Sequence, residues 1–504
     1  MTNLITIDNR VKTLQQSYKK GNNLQKDQDP DYQSLYDTLT VVANRTLSEL
    51  AKSNENLLIF PKKLGENEDE IGELSIVELS GPREKAGEAK ITTRNLMGFV
   101  GIRPKGQNDE DKNVYLTIRS RFSSDNNDFF MQYMLQKVFA INLFDYKFTT
   151  GQDYIFNLMM FLFPYMLKKA MRQGIYRTYQ TFRRNDANIK GTIDISRHIR
   201  MNIPFAGNVA YSSRERTADN PVIQLIRHTI EEIKSGTFGK NILNCDEDMR
   251  RNVSMIVEAT PSYNRMAREK VIRQNIRPFS HPYYTDYGPL RKLCLAILRH
   301  KKISFSQSDK DEVYGILFDG AWLWEEYLDT VLNKCGFTHA KNKAAKNKNE
   351  ILIYSGNPRY PDFYKVYKGT QCSINTEEKE QFKWKCNNCS NPSCSDNFVL
   401  DAKYKALNKK DDDIIKAVFS RDDLHQLITY MYILPAKKGA LIYPFSSEDK
   451  KIGISKRKTL YGYGGQIFTV GVPISKADKF PEFCDEMQQM EESLAELAGK
   501  GFSE

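Results

Sequence analysis

The stretch "FVLDAKYK", residues 398–405, sets charges into an otherwise apolar and aromatic run. Its Phe, Val and Leu content and its shortness predict a buried strand. Side chains alternate faces along a strand, so Asp401 and Lys403 project together while Leu400 and Ala402 line the opposite face. An unpaired charge is costly to bury. The two must therefore neutralise each other, open into a solvated cleft, or hold a ligand such as a metal ion. A structural ion pair is the ordinary fate of an isolated D-x-K, so the company the tripeptide keeps decides.

That company is suggestive. Upstream, "RYPDFY" sets Asp362 directly after Pro361 on a second predicted strand, 39 residues before Asp401. A carboxylate on a neighbouring strand can approach Asp401 closely enough for the pair to share one divalent ion. Two carboxylates and water oxygens suit Mg²⁺, a hard ion that keeps several of its waters. Downstream, Gln426 and Tyr430 in "HQLITY" are spaced to share one face of a helix. On a helix before the strands, Glu325 in "LWEEYL" offers a third carboxylate, directly or through water.

The chain has 504 residues, 40% hydrophobic and 27% charged, which fits a multidomain globular protein and excludes a fibre or a disordered chain. Residues 1–56 read as a polar, partly helical segment. Residues 57–150 carry short alternating runs such as "GELSIVEL" and "NVYLTIRSRF" and predict a mostly-β adaptor domain. Residues 151–310 read as a largely helical connector. Its apolar run "YIFNLMMFLFPYML" contains Pro164 and falls short of the roughly 20 residues a membrane span needs, so it predicts a buried helix.

Residues 311–475 predict an α/β domain, opening with a helix over "VYGILFDGAWLWEEYLDTVLNKCG" that Gly336 stops, followed by three strands, a helix and a strand. Residues 476–504 predict a C-terminal helix. The expected fold class is α+β multidomain. No secretory signal pattern opens the chain, and the expected location is the cytoplasm.

Lys and Arg outnumber Asp and Glu by 74 to 63, a net charge of +11 and a pI near 9.0. Such a balance favours a polyanionic partner, though a mildly basic soluble protein has it too. Residues 168–200 hold nine Lys or Arg against two Asp, interleaved with tyrosines, a stretch able to track phosphates or to form a solvated face. Of the histidines, only His425 lies beside these motifs in sequence; His198 and His228 lack evident partners.

The order Glu325 on a helix, then P-D, D-x-K and Q-x-x-x-Y resembles the nuclease core of the PD-(D/E)xK superfamily, in particular its RecB-like branch. That resemblance implies that a metal held by Asp362 and Asp401 polarises a phosphodiester oxygen and lowers the pKa of a bound water. It implies too that Lys403 orients the nucleophile or stabilises charge on the phosphate, and that Gln426 and Tyr430 position the substrate or brace Lys403.

A narrower resemblance covers most of the chain. "ITTRNLMGFVGI", "VYLTIRSRF", "DFFMQYML", "NIKGTIDISRHIR", "PDFY", "VLDAKYK", "DLHQLITYMY" and "GALIYP" together resemble the McrC component of McrBC-type restriction systems, LlaJI-like branch. The family implies a nuclease subunit that cleaves double-stranded DNA and stimulates a hexameric McrB-like AAA+ GTPase through its N-terminal β-rich domain. The chain has no G-x-x-x-x-G-K-[ST] phosphate loop, so the NTPase is another polypeptide. Two alternatives stay open: a non-catalytic DNA-binding adaptor that activates the GTPase, and a free-standing PD-(D/E)xK repair nuclease.

One feature departs from the plain nuclease pattern. Between Asp362 and Asp401 lie Cys372, Cys386, Cys389 and Cys394, four of the chain's eight cysteines within 23 residues, with "CNNC" as a C-x-x-C pair. Tetrahedral thiolate Zn²⁺ is one reading and reduced loop thiols the other. Elemental analysis of the purified chain is expected to find about one zinc per molecule if the thiols close a site; less than about half an equivalent argues for free thiols.

Overall fold

The first sheet gathers strands from distant parts of the chain. They are β1 (Thr2–Ile7), β2 (Tyr18–Lys19), β3 (Leu57–Phe60), β4 (Leu96–Ile102), β5 (Val114–Arg119) and β6 (Val313–Asp319), arranged in the order β2-β1-β5-β4-β6-β3. The structure, a computed structural model, describes residues 2–19, 31–54, 57–61, 71–102, 114–124, 127–139, 152–236, 242–244, 246–277, 279, 281–300, 313–339, 351–352, 358–359, 361–365, 397–405, 420–434, 436–446, 451–461 and 465–502. By its internal contacts the chain forms two units, Met1–Lys147 with Lys310–Glu504, and Phe148–Asp309.

The sequence-based boundaries at 57 and 311 cut across the first sheet. β1, from the segment read as polar and helical, runs parallel to β5 from Thr2 opposite Val114 to Ile7 opposite Arg119. β6, expected as the opening of a helix, pairs with β4 antiparallel and β3 parallel. All seven β6 residues are buried, so no amphipathic period distinguishes strand from helix there. Gly315 settles the matter sterically: at φ +150° it lies so close to β4 that a Cβ would stand 2.1 Å from the Phe99 carbonyl oxygen. The predicted helix survives as α2 (Gly320–Leu332), after the α1 helix (Phe129–Phe139), and Asp319 caps α2 by accepting from Ala321 N–H.

The second sheet contains β7 (Thr338–His339), β8 (Phe363–Lys365), β9 (Phe398–Ala402), β10 (Lys438–Ser446), β11 (Gly453–Ile454), β12 (Lys458–Thr459) and β13 (Gln466–Ile474). Their order is β7-β8-β9-β10-β13-β11, with β12 also on β13. β9, β10 and β13 are parallel neighbours and almost wholly buried, as parallel strands covered on both faces are. Helix α3 (Arg421–Ile433) packs on β9 and β10. Helix α4 (Phe480–Gly499), as expected for the C-terminus, packs on α1 and α2. Its Glu491 accepts from Tyr133 and Tyr327 hydroxyls at 2.8 and 3.1 Å and pairs with Lys137 at 2.6 Å.

The second unit is not purely helical. Helix Gln152–Met171, containing Pro164 as the sequence indicates, packs with Tyr287–His300, which also meets Pro221–Ser235. Beside these helices an antiparallel sheet joins Thr178–Asp186, Thr192–Ile193 and Val209–Thr217. Among the described residues no helix is long and apolar enough to cross a membrane.

The α3–β10 contact requires glycine: a Cβ on Gly439 would stand 2.3 Å from Met431 Sδ. Gly439→Ala is therefore expected to destabilise the fold by about 1–3 kcal/mol, read as a lower urea midpoint; an unchanged midpoint would show that Met431 yields freely.

Candidate active site

Register brings the two aspartates together. β8 and β9 are antiparallel with Phe363 opposite Leu400 and Tyr364 opposite Val399, so one step beyond the pairing Asp362 faces Asp401. Asp362 Oδ2 accepts the Ala402 N–H at 2.7 Å, which ties the loop before β8 to the end of β9. Lys403 N–H donates to the Ile442 carbonyl at 2.9 Å, carrying the β10 pairing one residue past the strand.

Helix α3 supplies the cover. Ser420 and Asp423 form a reciprocal capping box that starts it. One turn on, Gln426 Oε1 accepts from Lys403 Nζ at 3.0 Å while Gln426 Nε2 donates to the Tyr430 hydroxyl at 2.9 Å. Lys403 Nζ lies 2.8 Å from Asp401 Oδ2 and 3.4 Å from Asp423 Oδ1. Thus Asp362, Asp401, Lys403, Gln426 and Tyr430 meet in one cluster. Glu325, on α2, acts on it through its charge, which raises the Asp362 pKa.

Asp401 is 1% exposed, and neither carboxylate oxygen has a hydrogen-bond partner among the described residues. The Lys403 ammonium, 2.8 Å from Oδ2, is its ion-pair partner. Burial, then the Asp362 charge, pushes the Asp401 pKa up to about 8 against the pull of Lys403. Burial and Glu325 raise Asp362 to about 6. At neutral pH the pair retains a proton that two separate carboxylates would have lost. Burial opposes the charge on Lys403, but Asp401, Asp362 and Asp423 outweigh it and hold the ammonium above its ordinary range. Burial and the Asp362 charge raise the Tyr430 pKa, so the hydroxyl stays protonated.

Three further residues belong here that the motifs did not single out. Asp423 binds Lys405 as well as Lys403, and although burial raises its pKa, these lysines and Ser420 bring it below the usual range. Its signal was present as S-x-x-D, a helix start, three residues ahead of Gln426. His339, on β7, is buried, stacks on Phe363 and has Nδ1 2.7 Å from the Asp362 carbonyl oxygen. Burial lowers its pKa, yet Glu326, with an Oε1 3.8 Å from Nε2, and the Asp362 carbonyl carry it up to about 9. Nothing in the sequence marked His339 or Glu326, since only sheet pairing brings β7 to β8. His425, nearest in sequence, is exposed.

A divalent cation fits this donor set. The buried Asp401 faces the half-buried Asp362, and neither oxygen of Asp401 has a hydrogen-bond partner among the described residues. Among the described residues no group of three or more His, Cys, Asp and Glu side chains is placed to hold a metal ion. Cys372, Cys386, Cys389 and Cys394 lie outside the described residues.

Fold and site define a multidomain α+β protein with a buried carboxylate–lysine cluster where two sheet strands end under a helix. A family model described as McrBC 5-methylcytosine restriction system component matches residues 91–444, and the chain belongs to that family, the system its motifs resemble. The "refined half-complex from tetradecameric assembly of Thermococcus gammatolerans McrB AAA+ hexamers with bound McrC" is similar at 17% identity and a TM-score of 0.44, covering 97% of this chain and all of that one. The cryo-EM structure of the Thermococcus gammatolerans McrBC complex is similar at 16% identity and a TM-score of 0.33, covering 66% of this chain and 88% of that one. No curated protein matches.

The raised carboxylates make a signed stability prediction. A folded-state pKa of about 8 for Asp401, against 3.8 ordinarily, means the folded chain holds a proton the unfolded chain releases. That contribution is fully present below pH 3.8 and is lost as pH rises toward 8. In metal-free buffer Asp401→Asn is expected to melt above the wild type at pH 8, with the gap narrowing toward pH 5. A gap that is constant with pH would show that Asp401 is not perturbed.

Proposed function

We propose that the chain is the nuclease subunit of its restriction system, a Mg²⁺-dependent endonuclease that cuts double-stranded DNA and works with a partner AAA+ GTPase. The observation that carries this reading is Asp401, dry, opposed by Asp362, and with both oxygens unsatisfied among the described residues. With one proton retained, the carboxylate pair only balances the Lys403 ammonium and offers a phosphodiester no net attraction; a divalent cation that displaces that proton would leave the site positive. When bound by Asp362 and Asp401, Mg²⁺ would supply Lewis-acid stabilisation of phosphoryl charge and activation of water.

The chain's own residues then divide the remaining work. Lys403, charged at any physiological pH and held by Asp401, Asp423 and Gln426, presents a fixed ammonium to the phosphate or the attacking water. Gln426 fixes the Lys403 head, and Tyr430 fixes Gln426. His339 secures the Asp362 backbone from behind. Burial of Asp401 and Tyr430 limits competing water.

For the GTPase partner, one surface stands out. In the second unit Ile193, Ile195, Ile199, Met201, Ile203 and Phe205 are each at least 46% exposed, crowded into one hairpin and its short helix. Nearby acids are engaged within the chain, Asp186 by Tyr211, Asp194 by Arg197 and Glu215 by Arg184, whereas Lys190, Arg200, Arg214 and Arg216 are exposed. An apolar face with a basic rim suits an acidic, apolar-lined protein surface better than bare phosphates, and we assign it to the GTPase.

The test separates the two activities. Asp401→Ala and Lys403→Ala are expected to lower Mg²⁺-dependent cleavage of DNA by about 10²-fold or more while stimulation of the partner's GTPase survives. Ile199→Asp with Phe205→Asp is expected to lower stimulation of the partner's GTPase while Mg²⁺-dependent cleavage, measured without the motor, survives. Cleavage retained in either site variant would sink the site assignment, and a wild-type chain that stimulates the GTPase without cutting would favour the adaptor. Stimulation retained in the hairpin variant would return the contact to the N-terminal β-rich region.

A further inference from the structure

A guanidinium on the first sheet reaches the end of the strand that carries Asp401. Arg121 lies just past β5, with its side chain 6% exposed against an Asp8 that is wholly buried. Its Nε and Nη2 donate to Asp8 Oδ2 at 2.9 and 2.6 Å, and Nη2 also donates to Asn95 Oδ1 at 2.7 Å. The remaining arm, Nη1, donates to the backbone carbonyl of Tyr404 at 2.8 Å, and the guanidinium stands 4.6 Å from the centroid of the Tyr404 ring. Phe122 meets that ring edge-on at 5.6 Å, and the Tyr404 hydroxyl donates to Met97 Sδ at 3.4 Å. Tyr404 is the residue after Lys403.

The same node touches the other carboxylate-bearing helix. Asn95 accepts the Gly320 N–H on its own carbonyl at 2.7 Å, and Gly320 opens α2, on which Glu325 sits. A Cβ on Gly320 would meet Tyr404 Cε1 at 2.8 Å, so ring and helix start are in close contact. Stability alone does not account for such an arrangement. A buried Arg–Asp pair is commonly no more stable than apolar residues in its place. What a planar fork provides, and an apolar side chain does not, is a fixed geometry for several acceptors at once.

We infer that Arg121 is a positioning residue for Lys403, a clamp by which the N-terminal sheet sets where the ammonium sits relative to Asp401. The inference rests on the nuclease reading above. Lys403 has three side-chain partners in front, Asp401, Asp423 and Gln426, but its backbone is held from behind by Ile442 and, through Tyr404, by Arg121. Without the fork the Tyr404 carbonyl loses its donor, and the turn after β9 is free to move the lysine by the fraction of an ångström that positioning tolerates.

The experiment uses the full chain with its partner. Arg121→Lys keeps a charge for Asp8 but cannot span Asp8, Asn95 and the Tyr404 carbonyl together. Expected is a fall of about 10- to 100-fold in the kcat of DNA cleavage with KM and GTPase stimulation unchanged. Asn95→Ala, which removes one anchor and leaves the ion pair, is expected to lower kcat less, in the same direction; it serves as the readout if Arg121→Lys does not fold. Leu116→Ala, a core cavity on β5 away from Tyr404, is the stability control and is expected to lower Tm while keeping kcat at a temperature where it is folded. Wild-type kcat in Arg121→Lys beside an inactive Asp401→Ala overturns the clamp alone, as does an equal loss of kcat in Leu116→Ala. A wild-type chain that does not cut overturns the nuclease reading, an Asp401→Ala variant that does cut overturns the assignment of the site to this cluster, and either takes the clamp with it.

Discussion

Two carboxyl groups facing each other, one of them buried, are the constraint around which the second sheet is organised. Asp362 and Asp401 meet because β8 and β9 pair antiparallel in a register that places them opposite, at the point where both strands end. Left alone, such a pair is unfavourable, and burial shows in the raised pKa of each. Everything adjacent answers that cost: the Ala402 N–H on Asp362, the Lys403 ammonium beside Asp401, and the His339 ring under the Asp362 backbone. None satisfies the oxygens of Asp401 by hydrogen bonding, which is why a cation is the natural complement.

Holding that cluster takes most of the first unit. β9 is central in its sheet, parallel to β10, and α3 can descend onto them because Gly439 leaves room for Met431. The capping box at Ser420 starts α3 where Asp423 faces both Lys403 and Lys405, and Gln426 and Tyr430 follow at one-turn spacing. A substitution among these second-line groups would disturb the ammonium without touching either aspartate. The first sheet contributes from the other side, through Arg121 and the Tyr404 carbonyl. An N-terminal sheet and a C-terminal site are thus parts of one packed unit, although some 280 residues of sequence separate Arg121 from Tyr404.

Legibility followed local periodicity. α3, α4 and the helix containing Pro164 were readable because each has a sustained helical pattern. The opening of β6 was misread because seven buried residues have no polar face to set a period, and β13, buried after its first residue, was missed for the same reason. The middle of the chain was read as helical, yet it holds an antiparallel ribbon with two nine-residue strands, whose half-buried and exposed positions are both filled by polar, charged and aromatic residues and so set no apolar alternation. The insertion with Cys372, Cys386, Cys389 and Cys394 lies outside the described residues, so its thiols rest on spacing alone.

For the site, the division is physical. Strand alternation put Asp401 and Lys403 on one face, and helical spacing put Gln426 and Tyr430 on one face; those are properties of short segments, and sequence by itself determined them. Which segments become neighbours is set by sheet order and register, which depend on packing over hundreds of residues. Only the tertiary structure could bring β7 and its His339 beside Asp362, turn Asp423 between two lysines, and carry Arg121 from the first sheet to the residue behind Lys403. Long-range pairing leaves no periodic trace in the residues it joins, so it becomes visible only once the strands are in place.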